Sequence, residues 1–259
     1  MIALYLGTFL IGIRVRSVDL LWRQPKPAKE LPWQPPSEDS IPGGETGESI
    51  ARGRHIFEDT SDYAPQFTSS RVSCGSCHAA GGIQPGAVPL VGVPARFPMY
   101  SKRAGHRISL EDRIEECFVR SENGRPLPYD SAEMKALSHY IGWLSTPQPE
   151  HLPFRGKGLE LLPEIDGDPG RGAAIYAEQC AGCHGDHGQG IAPMFPPLWG
   201  PDSFNDGAGM NQVRKMASFV QKNMPQNRMG VLTPQQSFDV SAFIHQQQRP
   251  HFNPAYSKY

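Results

Sequence analysis

The pentapeptide Cys-x-x-Cys-His occurs twice in this chain, at 74–78 and 180–184. It is the attachment motif of c-type haem, in which two thiols bond to the porphyrin vinyl groups and the adjacent His ligates the iron. Two intervening residues place both sulfurs on one side of a short helical turn. A redox dithiol or half of a zinc site needs no His directly after the second Cys. Two copies therefore predict two covalently bound haems c, on Cys74, Cys77, Cys180 and Cys183.

The length of 259 residues, combined with two haem motifs, favours two small domains in which each haem completes a core that the chain alone could hardly fill. The formal charge of −1 leaves no basic footprint for nucleic acid, so a polyanion partner is not expected. Four of the five cysteines belong to the motifs. Cys117 is therefore left without a disulfide partner.

The N-terminal segment carries a short apolar run, 2–13, followed by Arg14 and Arg16. It is too short to span a membrane unless the apolar patch beyond the arginines is included, and a signal peptide and an uncleaved membrane anchor both stay open. Because c-type haem is attached outside the cytoplasm in bacteria, we predict an exported, periplasmic protein. Residues 26–44 are rich in proline and favour an extended tether, so 1–43 is interpreted as an export signal or anchor plus tether.

An internal repeat indicates two versions of one unit. The string Arg-Gly-x-x-Ile-aromatic begins at Arg52 and again at Arg171, and helical apolar spacing returns before the end of each unit, at 131–144 and 233–244. We predict an all-α fold of two cytochrome c-like domains, 44–147 with the active-site haem and 166–250 with the electron-transfer haem. A Pro-rich linker, 148–165, joins them, and 251–259 is a tail.

Each iron has a motif ligand, His78 or His184, and an opposite position to fill. In the second domain Met224 precedes Pro225, where small cytochromes c commonly place their ligand, with Met229 in reserve; the other candidates are Met194, Met210, Met216, His187 and His245. The first domain offers Met99, His106 and Cys117.

Spacing favours Cys117 in the first domain. It lies 39 residues after His78, and Met224 lies 40 residues after His184. The alternative is a buried structural cysteine. A thiolate ligand would lower the reduction potential of the first haem, because it donates charge that stabilises ferric iron. Axial ligands move haem potentials over about 0.8 V. Electron flow from the first haem to the second would then be downhill.

Basic residues concentrate around Cys117. A solvated basic face is the usual explanation of such a run, but beside a sulfur-ligated haem guanidinium groups also suit an oxyanion. This pattern suggests a small dianionic substrate. The residues are Lys102, Arg103, Arg107, Arg113, Arg120 and Arg125.

Two longer strings, CFVRSENGRPLP at 117–128 and FPPLWGPDSFNDGAGM at 195–210, together with 223–225, resemble the dihaem thiosulfate dehydrogenases. The resemblance covers about 44–248. It implies oxidation of two thiosulfates to tetrathionate, a His/Cys haem mapping onto His78 and Cys117, and a His/Met haem mapping onto His184 and Met224. Electrons would leave through the second haem to an external acceptor such as a small cytochrome c. Some relatives exchange the Met with a preceding Lys, whereas this chain has Asn223, and some run chiefly as tetrathionate reductases.

The leading hypothesis is a thiosulfate dehydrogenase whose Cys117 takes up a sulfur intermediate. Arg103, Arg113 and Arg120 would neutralise the substrate and Ser121 would donate a hydrogen bond. The competing hypothesis is a non-enzymatic dihaem electron shuttle, which the N-terminal tether would dock to a membrane complex and which needs no anion pocket. A peroxidase would need an openable iron, which Cys117 in the ligand position disfavours.

Overall fold

A computed structural model describes residues 36–146 and 158–259. The predicted export segment, most of the tether and the first part of the linker fall outside these residues. Within them, no helix is long and apolar enough to cross a membrane.

The described part of the chain forms ten α-helices, five single-turn 3-10 helices and one small hairpin. The α-helices are α1 (Glu45–Glu58), α2 (Thr60–Tyr63), α3 (Cys74–Cys77), α4 (Ala79–Gly82), α5 (Leu110–Arg120), α6 (Ala132–Leu144), α7 (Pro169–Gln179), α8 (Ala181–His184), α9 (Val213–Asn223) and α10 (Pro234–His245). The strands β1 (Met99–Ser101) and β2 (His106–Ile108) pair antiparallel. The predicted helical architecture is thus confirmed. The elements predicted from the sequence are the first and last helix of each domain, and they do not include α5, α9 or the hairpin.

The first domain is built on the crossing of α1 and α6. Gly53 allows this crossing, because a Cβ there would lie 2.0 Å from the Ala136 carbonyl oxygen. Arg52 at the same contact donates to Glu133, 2.6 Å from Nη2 to Oε1. Phe57 and Tyr140 pack with ring centroids 5.4 Å apart. The core of this domain therefore forms where the first and last helices meet.

The second domain repeats this crossing with α7 and α10. A Cβ at Gly172 would lie 2.0 Å from the Asp239 carbonyl oxygen, and Arg171 donates to the Asp239 carboxylate from Nε at 2.7 Å. Tyr176 packs against Phe243 at 5.5 Å between centroids. The repeated string therefore has a physical cause: its Arg pairs with a carboxylate, its Gly permits close approach, and its aromatic residue fills the crossing.

Side-chain caps fix where the helices that carry candidate residues begin. Ser109 and Asp112 form a reciprocal capping box at the start of α5, and Thr233 and Gln236 form another at α10. Such caps satisfy the free N–H groups of the first turn. They set the register of α5, and with it the face on which Cys117 lies.

The two domains are packed directly against one another. Val72, just before the first haem motif, belongs to the apolar core of the second domain. The Asn205 side chain donates to the Val119 carbonyl at 2.8 Å. Ala79 and Ala87 of the first domain form a buried cluster with Phe219 of α9. This contact brings the chain that follows the first haem motif close to the helix that precedes Met224.

Candidate active site

The first Cys-x-x-Cys-His motif forms the short helix α3, which Ser73 and Ser76 cap reciprocally. His78 follows it, and its Nδ1 lies 2.6 Å from the Val88 carbonyl oxygen. A carbonyl can only accept, so Nδ1 carries the hydrogen and Nε2 is left as a ligand. Burial lowers the pKa of His78 to about 4, which keeps the imidazole in the neutral form that binds metals.

The second motif has the same arrangement. The Nδ1 of His184 lies 2.9 Å from the Pro196 carbonyl oxygen, and burial lowers the pKa of this imidazole as well. Cys180 is partly buried, whereas Cys183 is exposed. One edge of the second attachment site therefore faces solvent.

A cavity of about 490 Å³ lies beside the first motif. Cys74, Cys77 and His78 line it together with Cys117, and much of the remaining wall is apolar. A c-type haem fits this set of residues, because the cavity offers two thiols, one neutral imidazole and a second sulfur within an apolar enclosure. Of the three first-domain candidates for the opposite ligand, Met99 and Cys117 line the cavity, and His106 is an exposed residue whose Nδ1 contacts the Ala104 carbonyl oxygen.

Cys117 lies in the last turn of α5, and Met224 directly follows α9. The nearly equal spacing therefore reflects two corresponding helices that each end beside a haem motif. Burial raises the pKa of the Cys117 thiol, and the charge of Arg113 opposes that shift. The surrounding protein by itself therefore favours the neutral thiol at Cys117.

The predicted anion-binding residues converge on the same cavity. Arg103 lies on the hairpin turn, and Arg113, Cys117 and Arg120 share one face of α5 at positions i, i+4 and i+7. Ser121, which follows α5, lines the cavity too. Burial lowers the pKa of Arg120, and the charges of Arg103 and Arg113 contribute to the shift. The guanidinium groups therefore repel one another through the cavity.

The candidates for the second haem are separated by burial. Met224 packs against the apolar core that also contacts Cys180. Met194 and Met229 are 72% and 55% exposed, and Met216 is a buried core residue of α9. Met210 is partly buried beside the same core. Among these methionines, Met224 and Met210 are therefore the two that are partly buried beside this core.

Comparison with known proteins identifies the family. The description "SoxA/TsdA, cytochrome c domain" matches 60–149, and "Cytochrome c" matches 170–248. A thiosulfate dehydrogenase of Stutzerimonas stutzeri is 36% identical over 96% of this chain and 84% of its own length. A second, from Allochromatium vinosum, is 39% identical over 84% of each chain. This chain belongs to the thiosulfate dehydrogenase family.

A solved structure agrees with that membership. Thiosulfate dehydrogenase (TsdBA) from Marichromatium purpuratum matches with a TM-score of 0.79 and 34% identity, over 85% of this chain and 50% of that chain. The predictions of two cytochrome c domains, of an enzyme and of two covalently bound haems c are thereby confirmed. The protein is a haem oxidoreductase.

In this family member, three features of the site were not identified from the sequence. Lys215 of α9 lines the first-domain cavity, and burial and the charges of Arg103 and Arg113 lower its pKa. Glu122 is fully buried near Cys74, and burial raises its pKa well above the usual value. The third feature is the C-terminal tail, which contacts Arg120. The apolar spacing around Lys215 marks α9 as helix but cannot indicate that it faces the other domain.

Asn223, which precedes Met224, ties the second domain to the first. Its Oδ1 accepts from Gln84 Nε2 at 2.8 Å, and its Nδ2 donates to the Gly86 carbonyl at 3.2 Å. Gln84 and Gly86 belong to the loop that ends at Val88, whose carbonyl binds His78. A single loop therefore contacts both the first motif His and the residue next to Met224.

Proposed function

We propose that this protein oxidises two thiosulfate dianions to one tetrathionate in the first-domain cavity. Electrons would then pass through the second domain to an external carrier such as a small cytochrome c. The observation that carries this proposal is that Cys117 and His78 line one cavity together with six lysine and arginine side chains and only two glutamates. A protein that only carried electrons would need no cationic enclosure. We further propose that the enzyme works in the periplasm.

The haems, when bound, supply acceptors for the two electrons that the reaction releases. We propose His78 and Cys117 as the iron ligands in the first domain, and His184 and Met224 as those in the second. A thiolate ligand lowers a haem potential relative to a His/Met pair, because it stabilises ferric iron. This difference would direct electrons from the first domain to the second.

The main barrier to the reaction is repulsion between two dianions. Like charges a few ångströms apart in a low-dielectric site cost several kcal/mol, on the order of 4 kcal/mol for each pair of unit charges at 4 Å. Arg103, Arg113 and Arg120 bring positive charge to the wall of the cavity, and Lys215 adds to it. Glu116 offsets part of this charge, because it forms an ion pair with Arg113 at 3.1 Å. We propose that the cationic side chains bind the sulfonate oxygens. Ser121 would donate a further hydrogen bond.

Cys117 can serve as the nucleophile of a balanced two-step reaction. In the first step its thiolate sulfur, released from iron or still near it, would bond to the terminal sulfur of one thiosulfate. The two electrons lost in forming this S–S bond would pass one to each haem. In the second step the terminal sulfur of another thiosulfate attacks that bound sulfur, tetrathionate forms, and the Cys117 thiolate is the leaving group. No proton is consumed or released overall. Reversal of these steps is tetrathionate reduction, the alternative direction for the same site.

The test is turnover by the purified holoprotein with thiosulfate and ferricyanide. We expect haem reduction, ferricyanide consumption and one tetrathionate for every two thiosulfates. Cys117→Gly should lower turnover by at least about a thousandfold, the order lost when a nucleophile is removed, while both haems stay attached. If the wild-type protein neither becomes reduced nor consumes ferricyanide, it is an electron shuttle. Near-normal turnover by Cys117→Gly would reject the proposed role of this residue.

A further inference from the structure

The C-terminal tail, residues 251–259, turns back from α10 and is fastened to a loop of the second domain. Asp206 is the anchor of this turn. Its main-chain N–H donates to the Pro250 carbonyl at 3.0 Å, and its carboxylate accepts from the Phe252 N–H at 2.7 Å and lies 2.8 Å from His251 Nδ1. These bonds fix Phe252 at a definite place over the first domain.

Phe252 and its neighbours enclose the guanidinium group of Arg120. The guanidinium carbon lies 4.0 Å from the centroid of the Phe252 ring. Nη2 donates to the main-chain oxygen of Tyr259 at 2.8 Å. Gly207 closes another side, since a Cβ there would lie 2.9 Å from Nη1. The second domain and its tail therefore hold a side chain that lines the cavity of the first domain.

The contacts of Arg120 include no side-chain carboxylate among the described residues, so its positive charge remains available to an anion. The residue is only 7% exposed, and among the described residues no side-chain carboxylate forms an ion pair with it. Its Nε atom is buried and has no hydrogen-bond partner in the described part of the chain. A buried donor without a partner is costly unless a ligand satisfies it. Arg120 thus combines a fixed position with an open donor.

We infer that the tail is a positioning element for the substrate site and that Phe252 is its positioning residue. This inference rests on the proposed function. Arg103 and Arg113 repel the Arg120 guanidinium, and a long side chain free to move would turn away from them. The aromatic face of Phe252 attracts the Arg120 guanidinium without neutralising its charge. Because the guanidinium is already fixed in place, less conformational entropy is lost when it binds a thiosulfate oxygen.

The experiment compares Phe252→Ala with Tyr256→Ala in the holoprotein. Tyr256 is also a half-buried aromatic residue of the tail, but it lines a different cavity, with Arg125 and Asn253. Two binding quantities are measured: the KM for thiosulfate, and the dissociation constant of tetrathionate for the oxidised protein by calorimetry. The kcat for thiosulfate is determined alongside them. We expect Phe252→Ala to raise KM and the dissociation constant about fivefold, with kcat and haem content changed less, because a cation–π contact of this kind is modest. Tyr256→Ala should change neither quantity.

Phe252→Tyr, which keeps the aromatic face, should restore both quantities to nearly wild-type values. Phe252→Leu keeps bulk without the face and should resemble Phe252→Ala, so it serves if the alanine variant does not fold. Unchanged KM and dissociation constant in both the Ala and Leu variants would overturn the inference, as would an equal increase in Tyr256→Ala. Failure of the wild type to oxidise thiosulfate would instead contradict the proposed function, and the tetrathionate measurement would still decide the role of Phe252.

Discussion

The two domains share a scaffold and differ in what surrounds the haem motif. In both, an Arg-Gly helix crosses the last helix, and the motif His gives its Nδ1 hydrogen to a carbonyl. In the first domain, Cys117 and the guanidinium groups face an enclosed cavity. In the second, Met224 packs in an apolar core and Cys183 is exposed. One scaffold can therefore serve either substrate oxidation or electron transfer under the proposed function. The residues that surround the haem motif decide between the two roles.

Some of the residues that distinguish the first-domain cavity belong to the second domain. Lys215 reaches its cavity from α9, and the tail holds Arg120 from outside. Under the proposed function, the second domain therefore supplies part of the substrate site. Its packing against the first domain is part of the proposed catalytic arrangement and not simply a route for electrons.

The largest expected effect comes from giving the first domain the sulfur ligand of the second. Cys117→Met should raise the midpoint potential of the first haem by about a few tenths of a volt, since axial ligands change haem potentials over about 0.8 V. It should also abolish thiosulfate oxidation. Redox titration and low-temperature electron paramagnetic resonance would measure the change, because a ferric thiolate haem has a narrow g-spread. An unaltered potential and spectrum would mean that Cys117 is not an iron ligand.

The shared scaffold can be broken at its equivalent glycines. In Gly53→Ala and Gly172→Ala the new Cβ would lie 2.0 Å from a carbonyl oxygen, so the crossing helices must separate at a cost of about 3 kcal/mol or more. Thermal unfolding of each holoprotein variant measures this loss. Gly142→Ala is the control, since no atom lies within 4 Å of its added Cβ, and it should leave stability unchanged or raise it. Normal stability in Gly53→Ala would contradict the crossing described here.

The equivalent ion pairs should differ in strength. Asp239 is 2% exposed and accepts from Arg171, from Gln235 and from the Asp168 N–H. Burial would raise the pKa of Asp239, but these hydrogen bonds, led by that of Arg171, hold it below its usual value. A lowered folded-state pKa stabilises the protein above the unfolded pKa, about 3.9, and this contribution is lost as the pH falls below that value.

Asp239→Asn should therefore destabilise the protein by about 2 kcal/mol at neutral pH. The difference from wild type should shrink below about pH 4. Glu133→Gln in the first domain is the matched variant. It should cost less because Glu133 accepts one hydrogen bond each from Arg52 and Gln66, whereas Asp239 accepts two from Arg171 alone. Chemical denaturation across pH would test both statements, and a difference that grew on acidification would have the wrong sign.

The smallest expected effect is on the KM for thiosulfate when Lys215 of α9 is replaced. Lys215→Met should raise the KM for thiosulfate about threefold, which corresponds to a contact of less than 1 kcal/mol, and the increase should diminish with added salt. Lys222→Met is the control on the same helix, because Lys222 Nζ faces Glu160 at 3.8 Å. Equal KM values for wild type and Lys215→Met at low salt would show that Lys215 does not bind the substrate.

Much of the site was predictable because its signals are local. The two motifs, the repeated Arg-Gly string and the matched spacing of Cys117 and Met224 all follow from short stretches whose chemistry is fixed by residue type and separation. These features predicted the haems, the helical domains and a candidate sulfur ligand before any packing was known.

The tertiary structure alone decided which distant residues meet. The tail carries no motif, and Lys215 and Asn223 lie on an ordinary amphipathic helix, so nothing in their neighbourhood indicates a role in the other domain. The hairpin that carries Arg103 is too short for a period-two pattern to be evident. Long-range contacts depend on how whole surfaces fit together. Many weak interactions determine this fit, and together they leave no recognisable pattern in a single sequence. Local chemistry therefore identified the haem sites, and packing between the domains completed the cavity.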